Sequence, residues 1–215
     1  MMASVTNSSL VSLHGSKKMK QLYTIGHSTH TVEYFIELLS MHSITAVCDV
    51  RSSPYSKYNP QFNRENLIKD LQRNNIAYVY LGKELGPRSD DSDCFVENKV
   101  QYDRLAKTTL FQEGLDRVRE GIKTYTIALM CAEKDPITCH RTILVCRHLR
   151  DKDIKILHIL EDGRLEKNEE SQLRLMQALK IPEFTLFESA TDQIEKAYDL
   201  QSSKIAYFQK EDVET

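Results

Sequence analysis

Apolar residues in this chain fall into short continuous runs that alternate with stretches of helical spacing. Leu22, Tyr23, Thr24 and Ile25 form a β-favouring run that ends at Gly26. From Thr31 onward, Val32, Phe35, Ile36, Leu38 and Leu39 recur at helical spacing, with Thr29 or Thr31 available as N-cap. Ile44 to Val50 is a near-continuous apolar run, the mark of a strand buried on both faces. Pro54 and Pro60 punctuate a loop, Leu67, Ile68 and Leu71 mark a helix, and Ile76 to Leu81 reads as a third strand. Gly82 to Asn98 carries Gly, Pro, Ser and acidic residues without periodicity and reads as a long surface loop.

A helix is predicted across Leu105 to Gly121, with Leu110, Phe111, Leu115 and Val118 on its apolar face. Tyr125 to Cys131 is a fourth strand. Asp135-Pro136 resembles an N-cap followed by proline at the first helical position, opening a helix that runs to about Arg150. Ile154 to Leu160 is a fifth strand, Gly163 turns the chain, and Leu173, Leu175, Met176 and Leu179 suggest a last helix before Pro182. Strands alternating with helices in this way predict an α/β fold: a mostly parallel sheet of about five strands with helices on both faces.

Three segments follow from this reading. Residues 1–18 are rich in Ser, lack acidic residues and show no periodicity, so they read as a disordered leader or as sequence upstream of a start at Met19. Residues 19–181 form the α/β domain. Residues 182–215 read as a C-terminal tail or peripheral helix. The formal net charge of −2 advertises no general affinity for nucleic acid, although a local patch stays open. Five cysteines without dense spacing point to free thiols in a reducing compartment, and no apolar run approaches the ~18–20 residues of a membrane span. A cytoplasmic location is the expectation; oligomeric state is not legible.

In open α/β sheets, ligands sit outside the carboxyl ends of the strands. Those ends carry Gly26-His27-Ser28, Asp49-Val50-Arg51, Gly86-Pro87-Arg88, Cys131-Ala132-Glu133 and, past the fourth strand, Cys139-His140-Arg141. His27 follows a glycine and can enter the cleft as acid, base or phosphate ligand. Asp49 and Arg51 straddle one residue, so both side chains emerge on the same side of a strand, either as a structural ion pair or with Arg51 gripping an anion while Asp49 orients His27. Glu133 is the second carboxylate for acid–base work. Cys139 is placed in or before the first turn of a helix, where the dipole would favour a thiolate. Cys131 is either a reactive thiol or a small core residue. Cys48 and Cys146 read as core, and Cys94 as an exposed loop thiol. His30, His42, His148 and His158 default to structural or surface roles.

Four of these segments together carry a family resemblance. Tyr23–Ser28 (YTIGHS), Asp49–Ser56 (DVRSSPYS), Pro60-Gln61-Phe62 and Leu129–Arg141 (LMCAEKDPITCHR) resemble the domain-of-unknown-function family 488, over about Leu22 to Leu160. The family usually reads Leu-Gly-Gly-x-Arg after the third strand, where this chain has Leu85-Gly86-Pro87-Arg88. The resemblance implies a Rossmann-like three-layer α/β sandwich and no settled activity.

The sequence leads to an enzyme acting by acid–base chemistry on a nucleotide, a nucleic-acid end or another phosphorylated small molecule. In that reading His27, Asp49 and Glu133 handle protons, while Ser28, Arg51, Arg88, His140 and a cleft-facing Arg141 hold the small anionic ligand. The alternatives are a thiol-dependent, rhodanese-like enzyme built on Cys131 or Cys139, and a non-catalytic ligand sensor. Cys131, Cys139 and His140 offer soft metal ligands, but Cys-x7-Cys-His lacks paired spacing and no metal is predicted. No cofactor is indicated. P-loop, dinucleotide and nucleophile-elbow motifs do not occur in the chain.

Overall fold

The structure, a computed structural model, describes residues 19–151, 153–183 and 188–209. The leader and the last residues of the chain lie outside this set. Eight strands appear in chain order: β1 Lys20–Gly26, β2 Ala46–Asp49, β3 Ala77–Tyr80, β4 Phe95–Val96, β5 Lys99–Val100, β6 Ile127–Cys131, β7 Ile154–Ile159 and β8 Leu165–Lys167. The helices are α1 Val32–Met41, α2 Arg64–Arg73, α3 Gly82–Leu85, α4 Tyr102–Leu105, α5 Thr109–Gly121, α6 Arg147–Leu149, α7 Asn168–Ala178 and α8 Ala190–Ile205. No helix among the described residues is long and apolar enough to cross a membrane.

The central sheet has six strands in the order β3-β2-β6-β1-β7-β8. Every pairing is parallel except the last, where β8 runs antiparallel along β7. Alternate residues of each strand enter different cores, as the two-residue period of a strand requires. Tyr23, Ile25, Val47, Ala128 and Met130 pack with Phe35, Leu38 and Leu39 of α1 and with Leu67 and Leu71 of α2. Leu22, Ala46, Cys48, Leu129 and Cys131 pack with Phe111 and Leu115 of α5, with residues 143–146, and with Ala197 and Tyr198 of α8. The fold is therefore the expected three-layer α/β sandwich.

This topology fixes where a site can form. The chain leaving β1 turns to the α1 face, whereas the chain leaving β6 turns to the opposite face. The two strands are hydrogen-bonded neighbours, with Gly26 level with Cys131. Their diverging exits open the crevice that α/β sheets use for ligands.

Several local expectations need correction. Thr31 does cap α1, its hydroxyl accepting from the Tyr34 amide. The segment read as a long loop instead holds α3, a 3-10 turn at Ser92–Cys94 and the β4–β5 hairpin. Cys94 is buried rather than exposed, because this turn folds it under the hairpin. The helix predicted over Leu105–Gly121 starts later, as α5 at Thr109, and the short α4 ends at Leu105 before it. Thr108 caps α5, which leaves Leu110 half exposed in its first turn. The stretch from Asp135 to Arg150 is not one helix. Asp135 caps a 3-10 turn over Pro136–Thr138, Cys139 is extended, and Arg141–Cys146 is a π-helix that continues into α6. The antiparallel β8 was not foreseen.

Candidate functional site

Two buried polar networks meet at the carboxyl ends of β1, β2 and β6. The first lies toward α1 and α2. Asp49 and Arg51 share a side of the chain, as the spacing predicts, and form a bidentate pair: Arg51 Nε donates to Oδ1 at 2.9 Å and Nη2 to Oδ2 at 2.7 Å. Tyr78 also donates to Asp49 Oδ2 at 2.8 Å, and Arg51 Nη2 donates to the Phe62 carbonyl at 2.9 Å. Arg51 and Asp49 thus form a buried ion pair held by further protein groups. Arg51, not Asp49, meets His27: its Nη1 lies 3.2 Å from His27 Nε2.

His27 Nδ1 lies 2.9 Å from the Ser28 carbonyl, an arrangement that assigns its proton to Nδ1 and leaves Nε2 to accept from Arg51. The ring stacks on Phe62 with centroids 4.3 Å apart. Burial, reinforced by the Arg51 charge, lowers the pKa of His27 to about 4, so it is neutral at physiological pH. Ser28 occupies the left-handed region with φ of 49°, and its amide donates to the Ala132 carbonyl at 3.0 Å, tying the β1 exit to the β6 exit.

The second network holds the thiols. Cys131 Sγ donates to Glu133 Oε2 at 2.8 Å, and Cys139 Sγ donates to the same oxygen at 3.0 Å. His140 Nδ1 lies 3.6 Å from Cys131 Sγ and 3.9 Å from Cys139 Sγ. The other ring nitrogen, Nε2, sits 3.0 Å from the Val50 carbonyl. A carbonyl can only accept, so Nε2 carries a proton, and in the neutral ring it is the Nδ1 lone pair that faces the sulfurs. Both cysteines and His140 are buried; Glu133 is the exposed member. One ligating atom from each of the four side chains lies within 4.8 Å of every other.

Charges follow from this packing. Although the residue as a whole is exposed, desolvation of the carboxylate end that enters the thiol network raises the Glu133 carboxyl, but the two thiol hydrogen bonds outweigh it and bring its pKa down to about 2. Cys139 stands just before the π-helix, as expected, but burial, with Cys131 beside it, pushes its thiol well above its ordinary range. Cys48 and Cys146 are core thiols as expected, each pushed up to about 12 by burial.

Arg141 departs furthest from its expected role. It is fully buried rather than cleft-facing. Nη1 donates to the Glu133 carbonyl at 2.6 Å, Nη2 to the Lys134 carbonyl at 3.2 Å and Nε to Thr24 Oγ1 at 3.3 Å. Its own amide reaches Cys139 Sγ at 3.5 Å. Arg141 thus braces the loop that carries Glu133. Arg88 belongs to neither network. Its guanidinium lies 4.3 Å from the ring centroid of Tyr207, in a separate groove with Ser52, Gly82 and Lys83.

Sequence reasoning passed over Thr24, and gave His158 only a default structural or surface role. Thr24 Oγ1 and His158 Nδ1 are 2.8 Å apart on paired positions of β1 and β7, and His158 Nε2 lies 3.3 Å from Asn168 Oδ1. A polar residue interrupting each apolar run was the available signal. Tyr102 was also missed. Its hydroxyl is buried without a hydrogen-bond partner among the described residues, and burial raises its pKa.

A groove of about 850 Å³ opens beside the thiol network, with Glu133 on its wall. Each of its three cations pairs with a carboxylate: Lys134 with Glu161, Arg164 with Asp162, and Arg174 with Asp135 and Glu166.

The chain matches the family described as Domain of unknown function DUF488 over residues 31–147, a span that includes Asp49, Arg51 and the whole thiol network. No curated protein and no solved structure matches it. With more than half its length matched, the chain belongs to the DUF488 family.

Proposed function

We propose that this protein is a thiol-dependent enzyme whose reacting centre is Cys131, with Cys139, Glu133 and His140 as its immediate partners. One observation carries the reading: two thiols share a single carboxylate oxygen and face the same imidazole nitrogen at the crevice between β1 and β6. Proton transfer from Cys131 to His140 Nδ1 would leave a thiolate beside an imidazolium held in place by the Val50 carbonyl. Cys131 itself is buried and does not line the groove bordered by Glu133, so a donor entering there would reach the sulfur only once Glu133 moves aside.

The chemistry best suited to this set is transfer of a sulfane sulfur. The Cys131 thiolate attacks the outer sulfur of a donor such as thiosulfate, the S–S bond breaks with its electron pair leaving on sulfite, and a persulfide remains on Cys131. An acceptor such as cyanide then attacks the outer sulfur and regenerates the thiolate. Cys139, on the same Glu133 oxygen, is the second thiol to which the sulfur can pass.

Acid–base action on a phosphorylated ligand, and a ligand sensor, receive less support. Both depended on Arg51 and Arg141 as cleft cations, and those donors are spent on Asp49, Phe62, Glu133, Lys134 and Thr24. The test is thiocyanate formation from thiosulfate and cyanide by the reduced protein, with intact-mass detection of a 131-persulfide. Turnover should disappear in Cys131→Ser. A reduced, folded protein that forms neither persulfide nor thiocyanate, and whose Cys131 resists alkylation, refutes the assignment.

A further inference from the structure

We propose that the Cys131–Glu133–Cys139–His140 cluster is a zinc-binding site, and that the zinc-loaded form is the masked state of the thiols. The metal-binding half stands on geometry alone; the masking half rests on the thiol reading above.

Donor chemistry comes first. Two sulfurs, one imidazole nitrogen and one carboxylate oxygen make a complete four-coordinate set of the type zinc prefers, and all four atoms lie within 4.8 Å of one another. Chain spacing argued against this, because Glu133 was not counted and Cys-x7-Cys-His is not a paired motif. The extended Cys139 after the 3-10 turn brings the second sulfur back over the end of β6.

The distances support the same conclusion. Tetrahedral zinc, with bonds of ~2.3 Å to sulfur and ~2.0 Å to nitrogen, requires sulfur–nitrogen edges of about 3.5 Å. The two edges present are 3.6 and 3.9 Å. The sulfur–oxygen edges are shorter, at 2.8 and 3.0 Å, as thiol-to-carboxylate hydrogen bonds should be. Glu133 is the exposed member, so its carboxylate can withdraw by the roughly 0.5–0.7 Å that coordination asks for.

The surrounding bonds are those of a prepared ligand set. His140 Nε2–H is anchored on a backbone carbonyl, which fixes the tautomer that coordinates through Nδ1. The Arg141 amide points at Cys139 Sγ, a contact that favours a charged sulfur. Binding expels two thiol protons and admits one dication, so the cluster keeps the net charge it has with both thiols protonated and Glu133 ionised. The buried Arg141 guanidinium therefore sees the same counter-charge in both forms.

The test uses the full chain, reduced and stripped with a chelator. Zinc ion alone is titrated against a chromophoric competitor, and cobalt(II) alone is added for spectroscopy. The expected results are one ion per chain, about two protons released per ion in weak buffer, and a sulfur-to-cobalt charge-transfer band with intense tetrahedral d–d absorption. Cys131→Ser and Cys139→Ser should each weaken zinc binding by about 100-fold or more, and Glu133→Gln by about 10-fold because water can replace its oxygen. No uptake by the wild-type chain, or uptake unchanged in Cys139→Ser, overturns the site. If a serine variant does not fold, the wild-type cobalt spectrum decides, and absence of the charge-transfer band overturns it. Alkylation of Cys131 in the stripped and zinc-loaded protein then tests masking. Zinc binding without sulfur transfer in the stripped protein sinks only the thiol enzyme; sulfur transfer without zinc binding sinks only the metal site.

Discussion

Replacing Arg141 with alanine tests whether this residue is a pillar of the loop or a ligand-binding group. The side chain is fully buried and is among the largest such side chains in the domain. Its loss removes donors from the Glu133 and Lys134 carbonyls and from Thr24. Each orphaned carbonyl costs about 1–3 kcal/mol, and the empty volume adds to that. Relief from burying a guanidinium offsets part of the loss, leaving a net destabilisation of about 3 kcal/mol or more. For a chain of this size, 3 kcal/mol lowers the melting temperature by roughly 6–12 °C. Calorimetry beside urea denaturation measures it, with Arg141→Lys expected to fall in between because one ammonium cannot span both carbonyls. An Arg141→Ala protein that melts within about 2 °C of the parent while losing affinity for anions would restore the residue to the ligand cleft and refute this reasoning.

Two further outcomes follow from the same buried networks. His27 and His158 each have a folded pKa of about 4 against an ordinary value of 6.5, both chiefly through burial. Folded-state values below the unfolded ones mean that the unfolded chain takes up the protons, so this stability is complete above pH 6.5 and lost as pH falls to 4. Each group accounts for roughly 3 kcal/mol across that window. Urea midpoints should drop steeply between those pH values and the slope should ease in His158→Gln; a flat profile contradicts the burial argument. Gly26→Ala should destabilise by about 2 kcal/mol or more, since its new Cβ would sit 1.9 Å from the Glu133 carbonyl oxygen, a backbone atom unable to yield cheaply. The same variant should disturb Cys131 alkylation; a folded Gly26→Ala protein with parental stability and thiol reactivity would show that the approach of the two strand exits is not required.

Continuous apolar runs made β1, β2, β6 and β7 legible in the sequence because strands buried on both faces have few polar interruptions. The rule that ligands gather at carboxyl ends then selected His27, Arg51, Cys131, Glu133 and His140 before any coordinates. Their grouping was not legible. Whether Glu133 turns toward two sulfurs depends on a 3-10 turn of three residues, and no periodicity encodes it. Arg141 misled for a different reason. An arginine reads as exposed, and only the carbonyls of Glu133 and Lys134, themselves turned inward by the loop, make its burial tolerable. Strand β8 is three residues long, too short for an alternating pattern to stand out.

The π-helix over Arg141–Cys146 ties the site to chain length. Here the Arg147 amide reaches back to the Thr142 carbonyl, five residues earlier, and all six side chains of the stretch are buried. A π turn holds one residue more than an α turn, so a deletion within it is the change this segment could absorb by rewinding as ordinary helix. One residue corresponds to about 100° of helical rotation. With Ile143–Cys146 held by the core, that rotation would swing His140 and Cys139 away from Cys131. A single-codon deletion here would uncouple folding from chemistry, leaving a domain of the same architecture whose four donors no longer share a centre.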